Sequence, residues 1–260
     1  MTIYQVDSFT DKPFTGNPAG VCILDKAADE TWMQNIAMEM NLAETAFLFP
    51  VDGGYNLRWF TPAVEVDLCG HATLASAHIL YQLRILRPDQ EARFHSKSGL
   101  LTAKKQGDWI ELDFPSTPAV QLSPPDGLLE ALGVDAVWVG QSKFDFLVEV
   151  ASEAEVRDLD PDISGLSRLG GRGVIVTSQA STPSYDFVSR FFAPCAGVIE
   201  DPVTGSAHCT LAPYWEPKLG KSEMVGYQAS KRGGVVRVRR VGDRVMLGGQ
   251  AVTVMKGEMT

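Results

Sequence analysis

The feature that most constrains the fold of this chain is an internal repeat, each copy of which covers about half of the chain. Four short motifs recur in the same order. They are Arg58-Trp59-Phe60-Thr61-Pro62 with Arg190-Phe191-Phe192-Ala193-Pro194, Cys69-Gly70-His71-Ala72 with Thr204-Gly205-Ser206-Ala207, Ser96-Lys97-Ser98-Gly99 with Ser230-Lys231-Arg232-Gly233, and Gly107-Asp108 with Gly242-Asp243. The separation is 132 residues at Arg58 and 135 residues at Gly70. Four ordered matches indicate an internal duplication of the 260-residue chain.

The repeat predicts two similar α+β domains, residues 1–117 and 118–260, joined by a proline-rich linker near 116–125. In each half, strands lead to a glycine turn that opens a helix, and a hairpin turns at the Gly-Asp pair. The predicted helices are 29–40, 70–83 and one from Gly205 that ends near Pro213. The predicted strands are 3–9, 44–49 and 55–60 in the first half, and 146–150, 174–177 and 185–192 in the second.

Composition excludes several classes of protein. The formal net charge of −9 disfavours nucleic-acid binding, and the basic run VVRVRR at 235–240 alternates as a half-buried strand does. No apolar run approaches the roughly 18 residues that a membrane-spanning helix needs. The first residues also lack the pattern of a secretory signal. The four cysteines have no regular spacing, so we expect reduced thiols in a cytoplasmic protein.

Each half carries small residues at the turn that precedes its helix. Backbone N–H groups at a helix N-terminus attract carboxylates, and glycine permits close approach of a ligand. Pseudo-symmetric halves are expected to form a cleft at their interface, where the turns at Gly70 and Gly205 would clamp a small anionic substrate. The simpler interpretation, that each glycine only eases a tight turn, is disfavoured because the pattern occurs twice.

Titratable residues near these turns are candidates for the chemistry. Glu44 is surrounded by apolar residues, and lost hydration would raise its pKa towards the range used in general acid–base catalysis. The alternative is an edge-strand carboxylate that points to solvent. Asp201 precedes the second turn and could instead only cap a helix; Asp67 has a comparable place in the first half and is expected to be structural. His71, at a helix start, is expected to be neutral.

Metal and nucleotide sites have little support in the sequence. The spacings of Cys69 with His71 and of His208 with Cys209 do not match the usual separations of zinc ligands. The glycine-rich signatures of nucleotide binding and the nucleophile elbow of hydrolases are absent. We therefore expect neither a metal nor a nucleotide cofactor.

Four segments together resemble the PhzF-like family, which is named for a phenazine biosynthesis protein. They are VDSFTDKPFTGNPAGVCIL from Val6, NLAETAFLF from Asn41, DLCGHATLASAH from Asp67 and EDPVTGSAHCTLAPYW from Glu200. The resemblance covers nearly the whole chain. It implies two diaminopimelate epimerase-like domains, each a β-barrel-like sheet around a central helix, with the active site between them. It also implies a homodimer, no cofactor and a small carboxylic-acid substrate.

The resemblance also assigns roles to individual residues. The acid–base glutamate of the family falls on Glu44, its Gly-His pair on Gly70 and His71, and its aspartate on Asp201. The substrate carboxylate is expected at Gly205 and Ser206, and Gly70, Thr204 and Asn17 are further expected substrate-binding residues. Asn17 lies in the GNPAG motif near the cleft.

The repeat is broken where the chemistry is expected. Racemases of this fold place one cysteine before the glycine in each half, whereas these positions hold Cys69 and Thr204. The pKa of a threonine hydroxyl is far too high for a base. The repeat of Glu44 in GRGVIVTS also lacks a carboxylate. We therefore expect a single acid–base group, Glu44, to move a proton next to a carboxylate, while Asp201 and His71 steer protonation and hydrogen-bond the substrate. Two alternatives remain: a racemase or dehydratase of a proline-like amino acid with Cys69 as its base, and a catalytically silent binding protein.

Overall fold

The computed structural model describes residues 1–259, and these form seventeen strands and six α-helices. The strands are β1 (Thr2–Ser8), β2 (Asn17–Ile23), β3 (Glu44–Val51), β4 (Gly54–Phe60), β5 (Glu65–Val66), β6 (Ala92–Ser96), β7 (Gly99–Gln106), β8 (Trp109–Pro115), β9 (Val120–Gln121), β10 (Trp138–Gln141), β11 (Asp145–Glu149), β12 (Gly173–Gln179), β13 (Phe187–Phe192), β14 (Glu223–Gln228), β15 (Gly234–Val241), β16 (Arg244–Gly249) and β17 (Ala251–Glu258). The helices are α1 (Glu30–Met40), α2 (Gly70–Gln82), α3 (Leu128–Leu132), α4 (Glu153–Arg157), α5 (Ile163–Ser167) and α6 (Gly205–Leu219).

The chain divides into two compact units. Unit 1 comprises Met1–Phe114 together with the residues from Gly248 onward, and unit 2 comprises Pro115–Leu247. This division differs from the predicted boundary between residues 117 and 118, because the end of the chain returns to unit 1. There β17 pairs antiparallel with β1, from Thr2↔Glu258 to Ser8↔Ala251. The segment 116–125 is part of unit 2, where β9 pairs with β10.

In unit 1 a mixed sheet surrounds the helix α2. Strand β2 is antiparallel to β1 and parallel to β3, and β4 is antiparallel to β3 and parallel to β6. Helix α2 packs against β1, β2, β3 and β17, and almost all of its residues are buried. Helix α1 packs on the opposite face of the strands, where Met33 and Ile36 join Phe47 and Phe60 in an apolar cluster. Small apolar residues in α2 permit this central position.

Unit 2 repeats this order of pairings. Strand β11 is parallel to β12, β12 is antiparallel to β13, and β13 is parallel to β14. Helix α6 packs against β14 and β15. Both closing hairpins turn at the predicted Gly-Asp pairs, where Gly107 and Gly242 have the same φ of +62°. That left-handed conformation favours glycine. The residues of the predicted repeat therefore form the same strand pairings and hairpin turns in both units.

Helix α6 is longer than the sequence predicted. We expected it to end near Pro213, but it continues through Pro213 and Pro217 to Leu219. Proline has no N–H, so Pro213 cannot donate to the carbonyl of Cys209 one turn earlier. The backbone N–H of Thr117 donates to that carbonyl instead, at 3.1 Å. An external donor thus compensates for the missing helical hydrogen bond.

Three expectations from composition can be compared with the structure. The basic run at 235–240 lies in β15, with Val236 and Val238 buried and Arg237 exposed, as predicted. All four cysteines are free thiols. Among the residues that the structure describes, no helix has the length and hydropathy required to cross a membrane.

A buried carboxylate stabilises unit 2 and gives a prediction about acid stability. Glu153 is 5% exposed and accepts hydrogen bonds from the N–H and hydroxyl groups of Ser181 and Thr182. Burial alone would raise its pKa, but Thr182, the guanidinium of Arg157 and Ser181 lower it to about 2. Because its carboxyl pKa is lower in the folded protein, Glu153 stabilises the fold at pH values above the unfolded pKa of 4.5. This stabilisation is lost as the pH falls towards 2.

We therefore expect Glu153→Gln to lower the free energy of unfolding at pH 7 by about 3 kcal/mol. Urea unfolding measured from pH 7 down to pH 2 should also show a weaker loss of stability with acid than the wild type. Asp160→Asn, which changes an exposed carboxylate of unit 2, is the control. An acid dependence of Glu153→Gln equal to that of the wild type would contradict this role.

Candidate active site

Glu44 lies at the first position of an interior strand. Strand β3 lies between β2 and β4, with Ala19 opposite Glu44 in the parallel pair. The edge-strand alternative is therefore wrong. The Glu44 side chain is 19% exposed, and its Oε2 atom is buried 3.1 Å from Nε2 of His71. At this distance the two side chains form an ion pair, but Oε2 accepts no well-directed hydrogen bond. The exposed part of the side chain therefore lies away from Oε2.

His71, in helix α2, is held by contacts from strands β1 and β2. Its carbonyl accepts a hydrogen bond from the Ser8 hydroxyl at 2.8 Å, and its Nδ1 lies 3.2 Å from the amide group of Asn17. Sγ of Cys69 lies 3.5 Å from the same Nδ1. His71 and Asn17 are buried. Unit 1 thus brings together four of the predicted residues: Asn17, Glu44, Cys69 and His71.

Burial and neighbouring groups shift the pKa values of Cys69 and His71. Burial raises the pKa of the Cys69 thiol, and the charge of Glu44 raises it further, so the thiol is protonated near neutral pH. Burial lowers the pKa of His71, but its contacts with Cys69 and with the Glu44 carboxylate raise it well above the usual range. This direction favours a protonated His71 over the neutral imidazole expected from the helix N-terminus, because Cys69 and Glu44 lie beside the ring.

The cluster also contains three atoms of the types that bind metals. The ligand atoms of Glu44, Cys69 and His71 lie within 4.8 Å of one another. From the sequence, Cys69 and His71 are candidate zinc ligands only together with His208 and Cys209. His208 Nδ1 instead lies 2.8 Å from the Thr204 carbonyl, and burial lowers the pKa of this imidazole to about 4. The absence of a metal stays a prediction, which a chelator can test.

In unit 2 the predicted residues lie on the loop that leads into α6. The Thr204 hydroxyl donates to Oδ2 of Asp201 at 2.5 Å, and neither Thr204 nor Cys69 caps its helix with a side-chain hydrogen bond. Gly205 is buried and begins α6, and Ser206 follows it as a partly exposed residue. The contact of Gly205 and Ser206 with a substrate carboxylate stays a prediction.

The same two contacts hold the loop before the central helix in each unit. Arg58 forms a bidentate ion pair with Glu65, as Arg190 does with Glu200. The second contact comes from a serine in the following hairpin: Ser98 donates to the carbonyl of Asp67, and Ser230 donates to that of Pro202. The sequence repeat instead matches Ser96 with Ser230 and gives Asp67 a place comparable to that of Asp201. The structure therefore aligns Asp67 with Pro202, and Val66 with Asp201.

A family model described as phenazine biosynthesis-like protein (PhzC-PhzF) matches residues 6–257. The chain belongs to this family. A protein of Halalkalibacterium halodurans named as an uncharacterized isomerase is 55% identical over 258 residues, which cover 99% of this chain and 97% of that protein.

Solved structures agree with this family membership. A PhzF-family phenazine biosynthesis protein from Enterococcus faecalis has a TM-score of 0.96 at 40% identity and covers 100% of this chain and 98% of that one. A probable proline racemase from Agrobacterium radiobacter has a TM-score of 0.67 over 100% of this chain and 92% of that one. Its identity of 11% shows likeness of fold alone. The predicted PhzF-like family and its α+β epimerase-like fold are confirmed.

Proposed function

We propose that this phenazine biosynthesis-like protein is a cofactor-independent isomerase that moves a proton next to the carboxylate of a small acid. The observation that carries the proposal is the environment of Glu44. One carboxylate oxygen is buried beside His71, and part of the side chain is still exposed. Such a carboxylate is held in place by His71, has one oxygen shielded from water, and can still reach a hydrogen of the substrate.

The proposed reaction needs one acid–base group. Glu44, as a carboxylate, accepts a proton from a carbon of the substrate, and the electron pair left behind is delocalised towards the substrate carboxylate. The resulting Glu44 carboxylic acid then returns a proton to a different carbon, so that no atom is gained or lost. His71 holds Oε2 of Glu44, and Asp201 hydrogen-bonds the substrate and directs where the proton returns.

The broken repeat supports a single base. In unit 2, Gly173 lies opposite Asp145 in the parallel pair of β11 and β12, as Glu44 lies opposite Ala19 in β2 and β3. The counterpart of Glu44 is therefore a glycine, and that of Cys69 is Thr204. A second carboxylate or thiol for the opposite face of a substrate is thus missing from the matching positions of unit 2.

A deuterium-incorporation screen tests the proposal. The protein is incubated in D₂O with a panel of unsaturated and cyclic carboxylic acids, and the acids are analysed by mass spectrometry and NMR. We expect the wild type to incorporate deuterium into at least one acid and to convert it to a positional isomer, with no loss of rate in EDTA. Incorporation into none of them would favour the catalytically silent binding protein, and loss of activity in EDTA would favour a metal at Glu44, Cys69 and His71.

The Cys69 alternative is tested by substitution. Because burial keeps the thiol protonated, Cys69→Ser should change kcat by less than about threefold, within the range of a removed weak contact. Proline and hydroxyproline are included as substrates, with loss of α-hydrogen measured by NMR. Collapse of turnover in Cys69→Ser would support the racemase or dehydratase with a thiol base.

A further inference from the structure

A chain of three polar side chains in unit 2 ends on the carboxylate of Asp201. Gln228, at the end of β14, is fully buried. Its Oε1 accepts a hydrogen bond from the backbone N–H of Thr204 at 2.8 Å. Its Nε2 donates to the Asp201 carbonyl at 2.7 Å and to the Thr204 hydroxyl at 3.1 Å. The Thr204 hydroxyl lies 2.5 Å from Oδ2 of Asp201.

The direction of every hydrogen bond in this chain is fixed by its partners. A backbone N–H can only donate and a backbone carbonyl can only accept, so Thr204 and Asp201 together fix which end of the Gln228 amide is oxygen. The Thr204 hydroxyl therefore accepts a hydrogen bond from Gln228. Its own hydrogen is left to donate to Asp201, and a carboxylate that accepts such a bond is favoured in its ionised form.

All three side chains are replaced at the matching positions of unit 1. The serine contacts of the two hairpins align Asp201 with Val66 and Gln228 with Ser96, and the helix starts align Thr204 with Cys69. None of Val66, Cys69 and Ser96 can form this chain: the Ser96 hydroxyl donates to the Gly99 carbonyl, and Cys69 lies against His71. The chain is therefore a specific property of unit 2 and not part of the repeated scaffold.

We propose that Gln228 and Thr204 are positioning residues that hold the Asp201 carboxylate ionised and in one orientation for the substrate. This explains why unit 2 has threonine where unit 1 has cysteine: the hydroxyl is a hydrogen-bond donor to Asp201 rather than a base. The inference rests on the proposed function, because it requires Asp201 to contact the substrate.

Four variants test the inference in the full-length protein. Thr204→Val removes the hydroxyl with little change of shape, Thr204→Ser keeps it, and Gln228→Leu removes the first donor. Thr210→Val is the matched control, because Thr210 is a buried threonine within α6 whose hydroxyl contacts Thr117 at 2.9 Å. The probe is the acid of the panel into which the wild type incorporates deuterium fastest.

We expect Thr204→Val to lower kcat by about 10- to 100-fold, which corresponds to loss of a hydrogen bond to a charged group, with a smaller change in KM. Thr204→Ser should restore most of this loss, and Thr210→Val should lose thermal stability while kcat is unchanged. Gln228→Leu should speed amide hydrogen exchange at 201–206. That exchange is measured without a substrate, and Thr204→Val is informative even if Gln228→Leu does not fold.

The inference would be overturned by a kcat of Thr204→Val within about threefold of the wild type, by an equal loss in Thr204→Ser, or by an equal loss in Thr210→Val. Unchanged amide exchange at 201–206 in Gln228→Leu would also do so. Failure of the proposed function is distinguished by Glu44→Gln, because full turnover in that variant refutes the single base whatever the Thr204 variants show.

Discussion

Replacing Glu44 by glutamine is expected to lower kcat by about 10²- to 10⁴-fold, the usual contribution of a general acid–base group. The amide has nearly the same shape but cannot accept and return the substrate proton. Ligand affinity should be nearly unchanged, because the groups expected to bind the substrate anion lie on other residues. Steady-state kinetics with the active acid of the panel measure the first quantity, and isothermal titration measures the second.

Glu39→Gln is the matched control for this experiment. Glu39 is an exposed carboxylate on α1 of the same unit, and its replacement makes the same change of charge. We expect this variant to retain the kcat and affinity of the wild type. Near-normal turnover in Glu44→Gln, or an equal loss in Glu39→Gln, would contradict the assignment of Glu44.

Asp201→Asn is expected to give the second largest loss of turnover, about 10²-fold. The Thr204 hydroxyl now donates to Oδ2 of Asp201, and an amide at this position supplies at most one neutral acceptor. The variant should also change the ratio of positional isomers, because Asp201 is proposed to direct where the proton returns. Initial rates and product ratios are measured by NMR.

The product ratio separates chemistry from folding. Asp160→Asn, the exposed control in unit 2, should match the wild type in both rate and ratio. An Asp201→Asn variant that folds normally and shows the rate and product ratio of the wild type would remove Asp201 from the proposed mechanism. It would leave Glu44 as the group to be tested by itself.

The sequence predicted those features that depend on local pattern. Helices α1 and α2 begin and end within a residue or two of the predicted positions. Apolar periodicity and a capping aspartate determine α1, and the glycine turn marks the start of α2. Asp29, for example, accepts a hydrogen bond from the N–H of Trp32. The two glycine turns and the two Gly-Asp hairpins were also predictable, because the repeat shows each of them twice.

Features that depend on distant partners were not predictable in this way. The end of α6 depends on a donor from Thr117, and the place of β17 depends on pairing with β1. The raised pKa of His71 depends on Cys69 and on Glu44, and only the packed fold brings Glu44 near. Gln228 was missed because a glutamine at the end of a strand is usually exposed. Its position two residues before Ser230 of the repeat was the only available signal.

The central claim, that one carboxylate moves the proton, is tested most directly by deuterium incorporation from D₂O in three proteins. The wild type, Glu44→Gln and Cys69→Ser are compared with the same acid under single-turnover conditions. We predict that incorporation is lost in Glu44→Gln and retained in Cys69→Ser. Retention in Glu44→Gln together with loss in Cys69→Ser would contradict the account and assign the proton transfer to the thiol.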